Sequence, residues 1–293
     1  MSVNIINELN SAVKRIESAL DACYPTNNSV ENLTDAMKYS LLNGGKRIRA
    51  FLTLTFAKIY GANEESAMPF ACAIEMVHAY SLIHDDLPAM DNDDMRRGKP
   101  SCHIKFGEAT ALLAGDSLLT QAFEICATND KVSPLSAVKA VRILSELAGY
   151  KGMCGGQEID LSDKVHTFED LMNLHSLKTS ALIKAACLLG LYAAVESPSE
   201  NDIQSVSEYA ECLGKAFQIH DDILDVISSS EELGKPVGSD SKNDKKTALA
   251  FMNLDEARYI EKELTESAIS AVSKCPNGSV PTELALWLLS RNK

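Results

Sequence analysis

Apolar residues recur at helical spacing through almost the whole chain. At its start, Ile6, Leu9, Val13, Ile16 and Leu20 follow one another in steps of three and four, which places them on one helix face. The other helical windows are roughly residues 29–43, 49–60, 66–86, 107–128, 134–150, 168–193, 199–227, 254–273 and 281–291. Runs of alternating β-branched and aromatic residues, which indicate half-buried strands, are absent from the sequence. The pattern therefore predicts an all-α fold of about ten helices.

Length and composition favour one globular domain. The chain has 293 residues, of which 45% are hydrophobic and 24% are charged, so it can bury a large core. No segment before residue 228 has the Pro and Gly enrichment of a linker, and we expect a single domain over residues 1–293. Residues 228–247 form a long polar stretch, which is either a surface loop or a mobile lid over an anionic ligand. Its lysines, which favour the lid, are Lys235, Lys245 and Lys246.

Charge and cysteine content restrict the partners and the compartment. With 28 basic and 41 acidic residues the formal charge is −13, which argues against binding to nucleic acid. The eight cysteines are scattered singly, as is typical of reduced thiols in the cytoplasm. No secretory signal is visible, and the longest strongly apolar run, residues 185–195, is far shorter than the ~20 residues of a membrane span. We therefore expect a cytoplasmic protein with no nucleic acid partner and no membrane span.

Two acidic motifs each follow an apolar helical stretch. They read HDDLPAMD over residues 84–91 and HDDILD over residues 220–225. In the second motif, the spacing of the three aspartates places their carboxylates on one side of a helix. In the first motif, Pro88 argues against a regular helix, and the carboxylates line up only if the chain forms a bulge there. Grouped carboxylate oxygens suit Mg²⁺, which is usually shared with a substrate phosphate. The candidate metal ligands are Asp85, Asp86, Asp91, Asp221, Asp222 and Asp225.

Other interpretations of the acidic motifs lead to different functions. One such motif alone is more often a solvated acidic helix face, but two of them after buried helices are harder to explain in this way. A calcium loop that starts at Asp91 needs glycine at position six and glutamate at position twelve, where Arg96 and Cys102 stand. His-Asp pairs also occur in metal phosphohydrolases, whose histidines ligate the metal. His84 and His220 each lie about 100° around the helix from the aspartate that follows. Binding of one metal ion by both side chains is therefore possible but not favoured.

Basic residues are concentrated at two turns. Residues 43–49, NGGKRIR, read as a helix end, a tight turn and a new helix start. Lys46 and Arg49 lie near that start, where the helix dipole disfavours cations unless an anion is bound. The P-loop pattern is not present, and a solvated basic turn is the alternative. Arg96 and Arg97 follow the first acidic motif, where they could hold diphosphate oxygens or simply balance charge.

Together and in this order, these motifs resemble those of the trans-polyprenyl diphosphate synthases. Residues 78–91, 102–109, 152–157 and 291–293 are similar to the bacterial, farnesyl-forming members of that family. The resemblance spans nearly the whole chain, and two Asp motifs combined with the glycine-rich basic turn are highly specific. The matching motifs are Gly44-Gly45-Lys46-Arg47-x-Arg49, Asp85-Asp86-x-x-x-x-Asp91, Arg96-Arg97, Lys178-Thr179, Gln218 and Asp221-Asp222-x-x-Asp225.

The resemblance implies an isoprenoid synthase fold, in which helices surround a deep apolar cavity, usually in a homodimer. It implies a short-chain trans-prenyltransferase that condenses isopentenyl diphosphate with dimethylallyl and geranyl diphosphate to give farnesyl diphosphate. The steps would be Mg²⁺-assisted ionisation, condensation and proton elimination. Synthesis of geranylgeranyl or geranyl diphosphate is the alternative. A class I terpene cyclase is less favoured because it has no use for a second diphosphate site, and a noncatalytic subunit is disfavoured because both acidic motifs are intact.

The resemblance also implies a role for each site residue. Asp85, Asp91 and Asp221 would hold three Mg²⁺ ions on the allylic diphosphate, with Asp86, Asp222 and Asp225 in supporting or water-mediated positions. The allylic diphosphate, or the carbocation that it leaves, would contact Arg96 and the catalytic residues Lys178, Thr179, Gln218 and Lys235. Isopentenyl diphosphate would be held by Lys46, Arg49, His78 and Arg97.

Product length is predicted from the helix that precedes Asp85. One helical turn is about 5.4 Å, close to the length of one isoprene unit. Tyr80 and Ser81 are therefore the nearest side chains that could form a floor, that is, the end of the cavity that stops the growing isoprenoid tail. The bulky Tyr80 favours a short product. The lid departs from the family pattern because Asp244 stands where glycine is usual, and we expect slower lid closure without loss of activity.

Overall fold

The computed structural model describes residues 5–24, 29–162, 164–233 and 247–290, and within these ranges the fold is almost entirely α-helical. The elements of the N-terminal half are α1 (Ile5–Ala22), α2 (Glu31–Leu41), α3 (Ile48–Ile59), α4 (Glu64–Asp85), β1 (Met95–Arg96), β2 (Lys99–Pro100), α5 (Cys102–Phe106), α6 (Glu108–Ala127) and α7 (Pro134–Ala148). Those of the C-terminal half are α8 (Met153–Leu161), α9 (Phe168–His175), a π-helical turn (Ser176–Ser180), α10 (Ala181–Ala194), α11 (Glu200–Leu233), a 3₁₀ turn (Ala248–Ala250), α12 (Leu254–Val272) and α13 (Ser279–Leu289). The all-α prediction is confirmed.

Two helices lie at the centre of the main core because a long stretch of each is buried on all sides. In α10 the buried residues run almost without interruption from Ala181 to Leu191, and in α4 from Phe70 to Val77. Such helices are stable only when other helices surround them. Here α3, α6 and α7 do so, with α3 packed on both α4 and α10. The first acidic motif therefore begins at the end of a well-supported central helix.

A smaller apolar cluster supports the second acidic motif. Its buried residues come from α9, α11, α12 and the segments beside them: Val165, Leu171, Leu174, Ile219, Ile223, Ala248 and Ala257. Ile219 and Ile223 are one helical turn apart on α11 and lie on either side of Asp221 in sequence. Their burial fixes the rotation of α11 and hence the position of the motif.

Three local features differ from the helical windows. The hairpin of β1 and β2 turns at Arg97 and Gly98, whose φ angles of 53° and 75° suit the mirror-image turns of tight hairpins. The window over residues 168–193 is interrupted by the π-helical turn, which inserts an extra residue between α9 and α10. Helix α11 continues to Leu233, beyond the predicted end at residue 227, since no helix breaker occurs before Gly234. The remainder of the predicted lid, residues 234–246, lies outside the described residues.

By length and composition, two helical stretches of the described chain could cross a membrane. They are Glu64–Asp85 and Phe168–Ala194, and 72% and 61% of their most apolar windows are buried inside the protein. Core helices of water-soluble proteins have the same length and composition, so the two stretches are weak evidence for a span.

Candidate active site

The first acidic motif is closed by a turn at the end of α4. The backbone amide of Asp91 donates to the carbonyl oxygen of Asp85 at 2.9 Å, and the amide of Asn92, whose φ is 54°, donates to Leu87 at 3.1 Å. The six-residue spacing is thus bridged by a folded turn that includes Pro88, and the helix does not continue through it. The turn returns Asp91 to the helix end that carries Asp85.

The carboxyl group of Asp85 is held in a partly buried, mixed electrostatic environment. Burial raises its pKa to about 6; the charge of Lys178 opposes this rise, and that of Asp91 adds to it. The two carboxylates of the motif therefore interact with one another and with a lysine from a distant part of the chain. A carboxyl group in this environment ionises most readily when a cation is bound beside it.

The second aspartate of each motif is buried and already engaged. Asp86 is 2% exposed and accepts hydrogen bonds from Nε of Arg96 at 3.0 and 3.2 Å, which ties the motif to β1. Asp222 is 6% exposed and accepts the backbone amide of Ala248 at 2.8 Å, which ties α11 to the chain that follows the lid. The first aspartates, Asp85 and Asp221, are both less buried than these two.

The two histidines that precede the aspartates make contacts that support the fold. The ring of His220 bonds through Nδ1 to the carboxylate of Glu261 on α12 at 2.5 Å. Nε2 of His84 lies 3.1 Å from the carbonyl oxygen of Leu112, and its ring fills the space where a side chain of Gly115 would stand. These partners orient both rings, and they do not favour the histidine-ligated metal of a phosphohydrolase.

The glycine-rich turn and the β1–β2 hairpin are joined through an arginine. The guanidinium of Arg97 donates to the carbonyl oxygen of Gly44, and a Cβ at Gly45 would lie only 2.8 Å from Nη1 of Arg97. Gly45 has a φ of 117°, which L side chains rarely adopt, and a Cβ there would have to displace the Arg97 guanidinium. Next in the turn, Arg47 is buried and paired with Glu75 at 3.2 Å, which anchors the turn to α4.

Four arginines surround His78 on α4. Burial lowers the pKa of His78 well below its usual value, and the charges of Arg49, Arg97, Arg47 and Arg96 lower it further, in that order. Nε of Arg49 is buried without a hydrogen-bond partner, and burial lowers the pKa of this arginine, as does the charge of Arg97. Arg47 and Arg96 are paired with the carboxylates of Glu75 and Asp86, so Arg49 and Arg97 are the arginines of this cluster best placed to attract an anion.

Of the four residues expected to hold isopentenyl diphosphate, three meet in this basic cluster. They are Arg49, His78 and Arg97. The fourth, Lys46, is exposed, and its ammonium lies 5.4 Å from the ring centroid of Trp287 on α13. The tryptophan gives Lys46 a cation–π contact at the edge of the turn.

The π-helical turn presents Lys178 and Thr179 to two different neighbours. The ammonium of Lys178 lies 2.5 Å from the carboxylate of Asp160 on α8, and the hydroxyl of Thr179 donates to Oε1 of Gln218 on α11 at 3.1 Å. The extra residue of a π turn changes the direction of the side chains that follow it, and such turns are frequent at functional sites. It brings α8, α10 and α11 together beside the acidic motifs.

One cavity of about 550 Å³ connects the basic cluster with the first acidic motif and the π turn. The predicted site residues that line it are Arg49, His78, Tyr80, Ser81, Asp85, Lys178 and Thr179. Most of its surface is apolar, supplied by side chains that include Leu82, Met90 and Met153. A site with charged groups at one side and apolar walls suits a ligand that combines diphosphate and hydrocarbon.

The cavity also contains a wall that motif analysis of the sequence did not predict. On α8, Cys154, Gln157, Glu158 and Leu161 line the cavity, and Asp160 pairs with Lys178. The available signal was Gly155-Gly156 inside a helix, because adjacent glycines in a helix often mark the close approach of another backbone. A Cβ at Gly156 would lie 2.3 Å from the backbone nitrogen of Lys178.

Comparison with known proteins agrees with this geometry. Residues 30–278 match the family described as Polyprenyl synthetase. The chain belongs to this family. It is 44% identical over 261 residues to farnesyl diphosphate synthase of Haemophilus influenzae, covering 88% of each chain. It is 41% identical to geranylgeranyl diphosphate synthase of Cyanophora paradoxa, covering 99% of this chain and 97% of that relative.

Solved structures of similar chains share the fold. An apo FPP/GFPP synthase from Zymomonas mobilis superposes with a TM-score of 0.87 at 31% identity, over 99% of this chain and 100% of the other. A putative farnesyl-diphosphate synthase from Marinomonas sp. MED121 gives a TM-score of 0.84 at 36% identity, over 98% and 99%. The isoprenoid synthase fold expected from the resemblance is confirmed. Polyprenyl synthetases elongate trans-prenyl chains, and this chain is a prenyltransferase.

Polyprenyl synthetases generally use Mg²⁺, and the donor set here fits that ion. Within the described ranges, no three Asp, Glu, His or Cys side chains are close enough to enclose a metal by themselves. Asp85 and Asp91 instead offer carboxylate oxygens from one short turn. Mg²⁺ is commonly bound by one or two carboxylates together with substrate phosphates and water, so this open arrangement suits it.

Some predicted residues lie outside the described part of the chain. They are Lys235, Asp244, Lys245 and Lys246 of the predicted lid and the terminal residues 291–293. Asp225 lies on α11, but its side chain is not among those described.

Proposed function

We propose that the chain condenses isopentenyl diphosphate with dimethylallyl diphosphate and then with geranyl diphosphate to form farnesyl diphosphate. The observation that carries the proposal is a single cavity that joins two charged regions of different chemistry. One contains Arg49 and His78, on both of which the charge of Arg97 acts; the other contains Asp85, Lys178 and Thr179. An enzyme that joins two diphosphate esters needs both regions, whereas a terpene cyclase or a phosphohydrolase needs one.

We assign isopentenyl diphosphate to the basic cluster. Arg49, His78 and Arg97 contribute donors there, and we assign Lys46, exposed in the neighbouring turn, to the same diphosphate. The neutral imidazole of His78 donates a hydrogen bond to the diphosphate without adding a further charge to the arginines. Fixed guanidinium groups bind diphosphate oxygens strongly because their N–H groups pair with two oxygens at once.

We assign the allylic diphosphate to the region between the acidic motifs and the π turn. Lys178 and Thr179 line the cavity there, and Gln218 is bonded to Thr179. The family resemblance implies Arg96 and Lys235 as further contacts. Lys178 pairs with Asp160, and Arg96 pairs with Asp86, so both cations are held in position before the substrate arrives. Such preorganised cations stabilise the charge that develops on a leaving diphosphate.

We assign three Mg²⁺ ions to the same region, with Asp85, Asp91 and Asp221 as ligands. Asp86 and Asp222 support them, since each already binds another part of the chain, and Asp225 completes the second motif. When bound, Mg²⁺ neutralises diphosphate oxygens and weakens the allylic C–O bond. The raised pKa of Asp85 fits a ligand whose ionised form is stabilised when a cation binds beside it.

The reaction needs no general base from the protein. The allylic C–O bond breaks, the double bond of isopentenyl diphosphate attacks carbon one of the resulting cation, and carbon two loses a proton to the departing diphosphate. The residues of the chain contribute by holding the two esters side by side and by excluding water from the cation. The apolar walls of the cavity serve the second purpose.

Tyr80 and Ser81 define the floor that we propose for the growing tail. Tyr80 is 5% exposed and lies in the cavity wall just over one helical turn before Asp85. A large aromatic side chain at this depth leaves room for a short tail, which favours the fifteen-carbon product. Geranylgeranyl diphosphate, made by the Cyanophora relative according to its name, is the alternative product.

The deciding assay uses the purified protein, Mg²⁺, labelled isopentenyl diphosphate and dimethylallyl or geranyl diphosphate, followed by chromatographic sizing of the products. We expect the fifteen-carbon ester, and a twenty-carbon product would support the alternative. Asp85→Asn should lower the rate by roughly a thousandfold because it removes a carboxylate from the metal site. The matched variant Asp130→Asn, whose side chain is 81% exposed on the α6–α7 loop, should keep the wild-type rate. An Asp85→Asn enzyme with the wild-type rate would contradict the metal assignment.

We propose further that the chain is a single domain, acts in the cytoplasm and forms a homodimer. Exposed apolar side chains near the start of α6 support the dimer: Ile104, Leu112 and Leu113 are 52%, 47% and 54% exposed. Side chains of this kind at neighbouring positions are typical of a surface that is covered by another chain. Leu112 also contacts His84 through its carbonyl oxygen, so such an interface would lie close to the active-site helix α4.

A further inference from the structure

One face of α8 lines the cavity together with residues of α4. Cys154, Gln157, Glu158 and Leu161 have the i, i+3, i+4, i+7 spacing of a single helix face, and all four line the cavity. A helix face in this position lies along the path of a substrate tail. The side chain on this face that touches the predicted floor therefore also limits the space for the tail.

Cys154 makes that contact. Its Sγ lies 3.3 Å from Oη of Tyr80, and either atom can donate. The ring of Tyr80 also packs edge-on against the ring of His84, with 5.6 Å between their centroids. Burial raises the pKa of Tyr80, and the hydrogen bond with Cys154 raises it further, so the hydroxyl stays protonated. His84 and Cys154 thus hold the tyrosine ring from two sides.

The backbone fixes the distance between Cys154 and Tyr80. A Cβ at Gly156 would lie 2.3 Å from the backbone nitrogen of Lys178, so α8 rests directly on the π turn. A Cβ at Gly152 would lie 2.0 Å from the carbonyl oxygen of Leu147, so the start of α8 is packed closely against α7. These two close approaches hold the first turns of α8, which carry Cys154, in place.

The geometry points to Cys154 as a specificity-determining residue, which together with Tyr80 closes the cavity and limits the length of the isoprenoid product. This inference rests on the prenyl transfer proposed above. A tail longer than the cavity allows must separate the thiol from the tyrosine hydroxyl. Because Cys154 is exposed while it lines the cavity, its side chain can be enlarged or chemically modified without disturbing the packed core.

Product sizing of Cys154 variants tests the inference. Cys154→Phe fills the space beside Tyr80 and should raise the ratio of ten-carbon to fifteen-carbon product by roughly tenfold or more, as expected for a steric change in a hydrocarbon pocket. Cys154→Ala removes the partner of the tyrosine hydroxyl and should add longer products, as Tyr80→Ala should. Cys154→Ser keeps a hydrogen-bonding group and should keep the wild-type product ratio. Unchanged product ratios in both Cys154→Phe and Cys154→Ala would overturn the inference.

Alkylation of the thiol gives a second, independent measurement. N-ethylmaleimide should modify Cys154, and geranyl diphosphate with Mg²⁺ at ten times its Kd should slow that reaction by roughly tenfold, measured by mass spectrometry. Cys212, half-buried on α11 and away from the cavity, serves as the control thiol whose labelling should not change. Equal labelling of Cys154 with and without substrate would contradict the inference even if the enzyme is active. An enzyme that protects Cys154 but forms no prenyl product would contradict the proposed function instead.

Discussion

At the residue scale, Gly45 links the backbone conformation of the glycine-rich turn to the position of Arg97 in the basic cluster. Its φ of 117° excludes other residues, and a Cβ would push against the Arg97 guanidinium at 2.8 Å. We expect Gly45→Ala to destabilise the fold by about 1–3 kcal/mol and to displace Arg97 from the basic cluster. The KM for isopentenyl diphosphate should rise roughly tenfold, because a charged hydrogen bond is lost. Steady-state kinetics and urea unfolding measure the two effects.

A second glycine separates backbone strain from the displacement of Arg97. Gly61, at the end of α3, has a φ of 94° and open space where a Cβ would stand. Gly61→Ala should therefore lower stability by a similar amount and leave the KM unchanged. An equal rise of KM in both variants would show that strain alone, and not the contact with Arg97, accounts for the effect.

The acidic motifs show what sequence can and cannot resolve at this scale. Their spacing and composition predicted six candidate metal ligands, and only the family resemblance separated Asp85, Asp91 and Asp221 from the supporting aspartates. The distinction depends on partners that are distant in sequence: Arg96 for Asp86, and the amide of Ala248 for Asp222. Hydrogen bonds of this kind depend on tertiary packing, so the local sequence pattern does not predict them.

At the scale of elements, the π-helical turn is the feature that periodicity missed. Apolar spacing over residues 168–193 predicts one continuous helix, and both α9 and α10 are indeed helical. A single inserted residue does not disturb the spacing on either side enough to be recognised. It nevertheless decides that Lys178 reaches α8 while Thr179 reaches α11.

His175, directly before this turn, makes the stability of the element depend on pH. It is 5% exposed, its Nδ1 has no partner, and burial lowers its pKa to about 4. Between pH 6.5 and pH 4, His175 binds a proton in the unfolded chain but not in the folded chain. The stability of the folded protein that depends on neutral His175 is therefore fully present above pH 6.5 and is lost as the pH falls towards 4. Because of His175, the free energy of unfolding should fall by about 2 kcal/mol between pH 7 and pH 5.

Urea unfolding at the two pH values measures this loss. His175→Phe should reduce the difference between pH 7 and pH 5, since the variant has no proton to bind at this position. His166→Phe, at an exposed position before α9, is the matched control and should keep the wild-type difference. If the two variants lose stability equally between pH 7 and pH 5, burial of His175 does not cause the dependence.

At the scale of the molecule, the sequence predicted the fold class well, but it did not predict which helices form the walls of the cavity. Helical periodicity defined the buried faces of α4 and α10 because such faces are long and regular. Residues 152–157 carried part of the family resemblance, but periodicity did not predict α8, because it mixes polar and apolar side chains over nine residues, too few for a periodic signal. Its contact with Tyr80 results from packing between helices that are far apart in the chain.

The proposed homodimer makes a prediction that belongs to the whole molecule. Leu113, 54% exposed near the start of α6, would become buried against the partner, and Leu113→Lys would place an unpaired charge there. We expect the dimer dissociation constant to rise by roughly a hundredfold or more, measured by sedimentation equilibrium. Tyr259→Lys on α12, where the ring is 63% exposed, is the matched change and should leave the dimer intact. A monomeric wild-type protein would contradict the dimer itself, whereas a dimeric Leu113→Lys variant would contradict only this location of the interface.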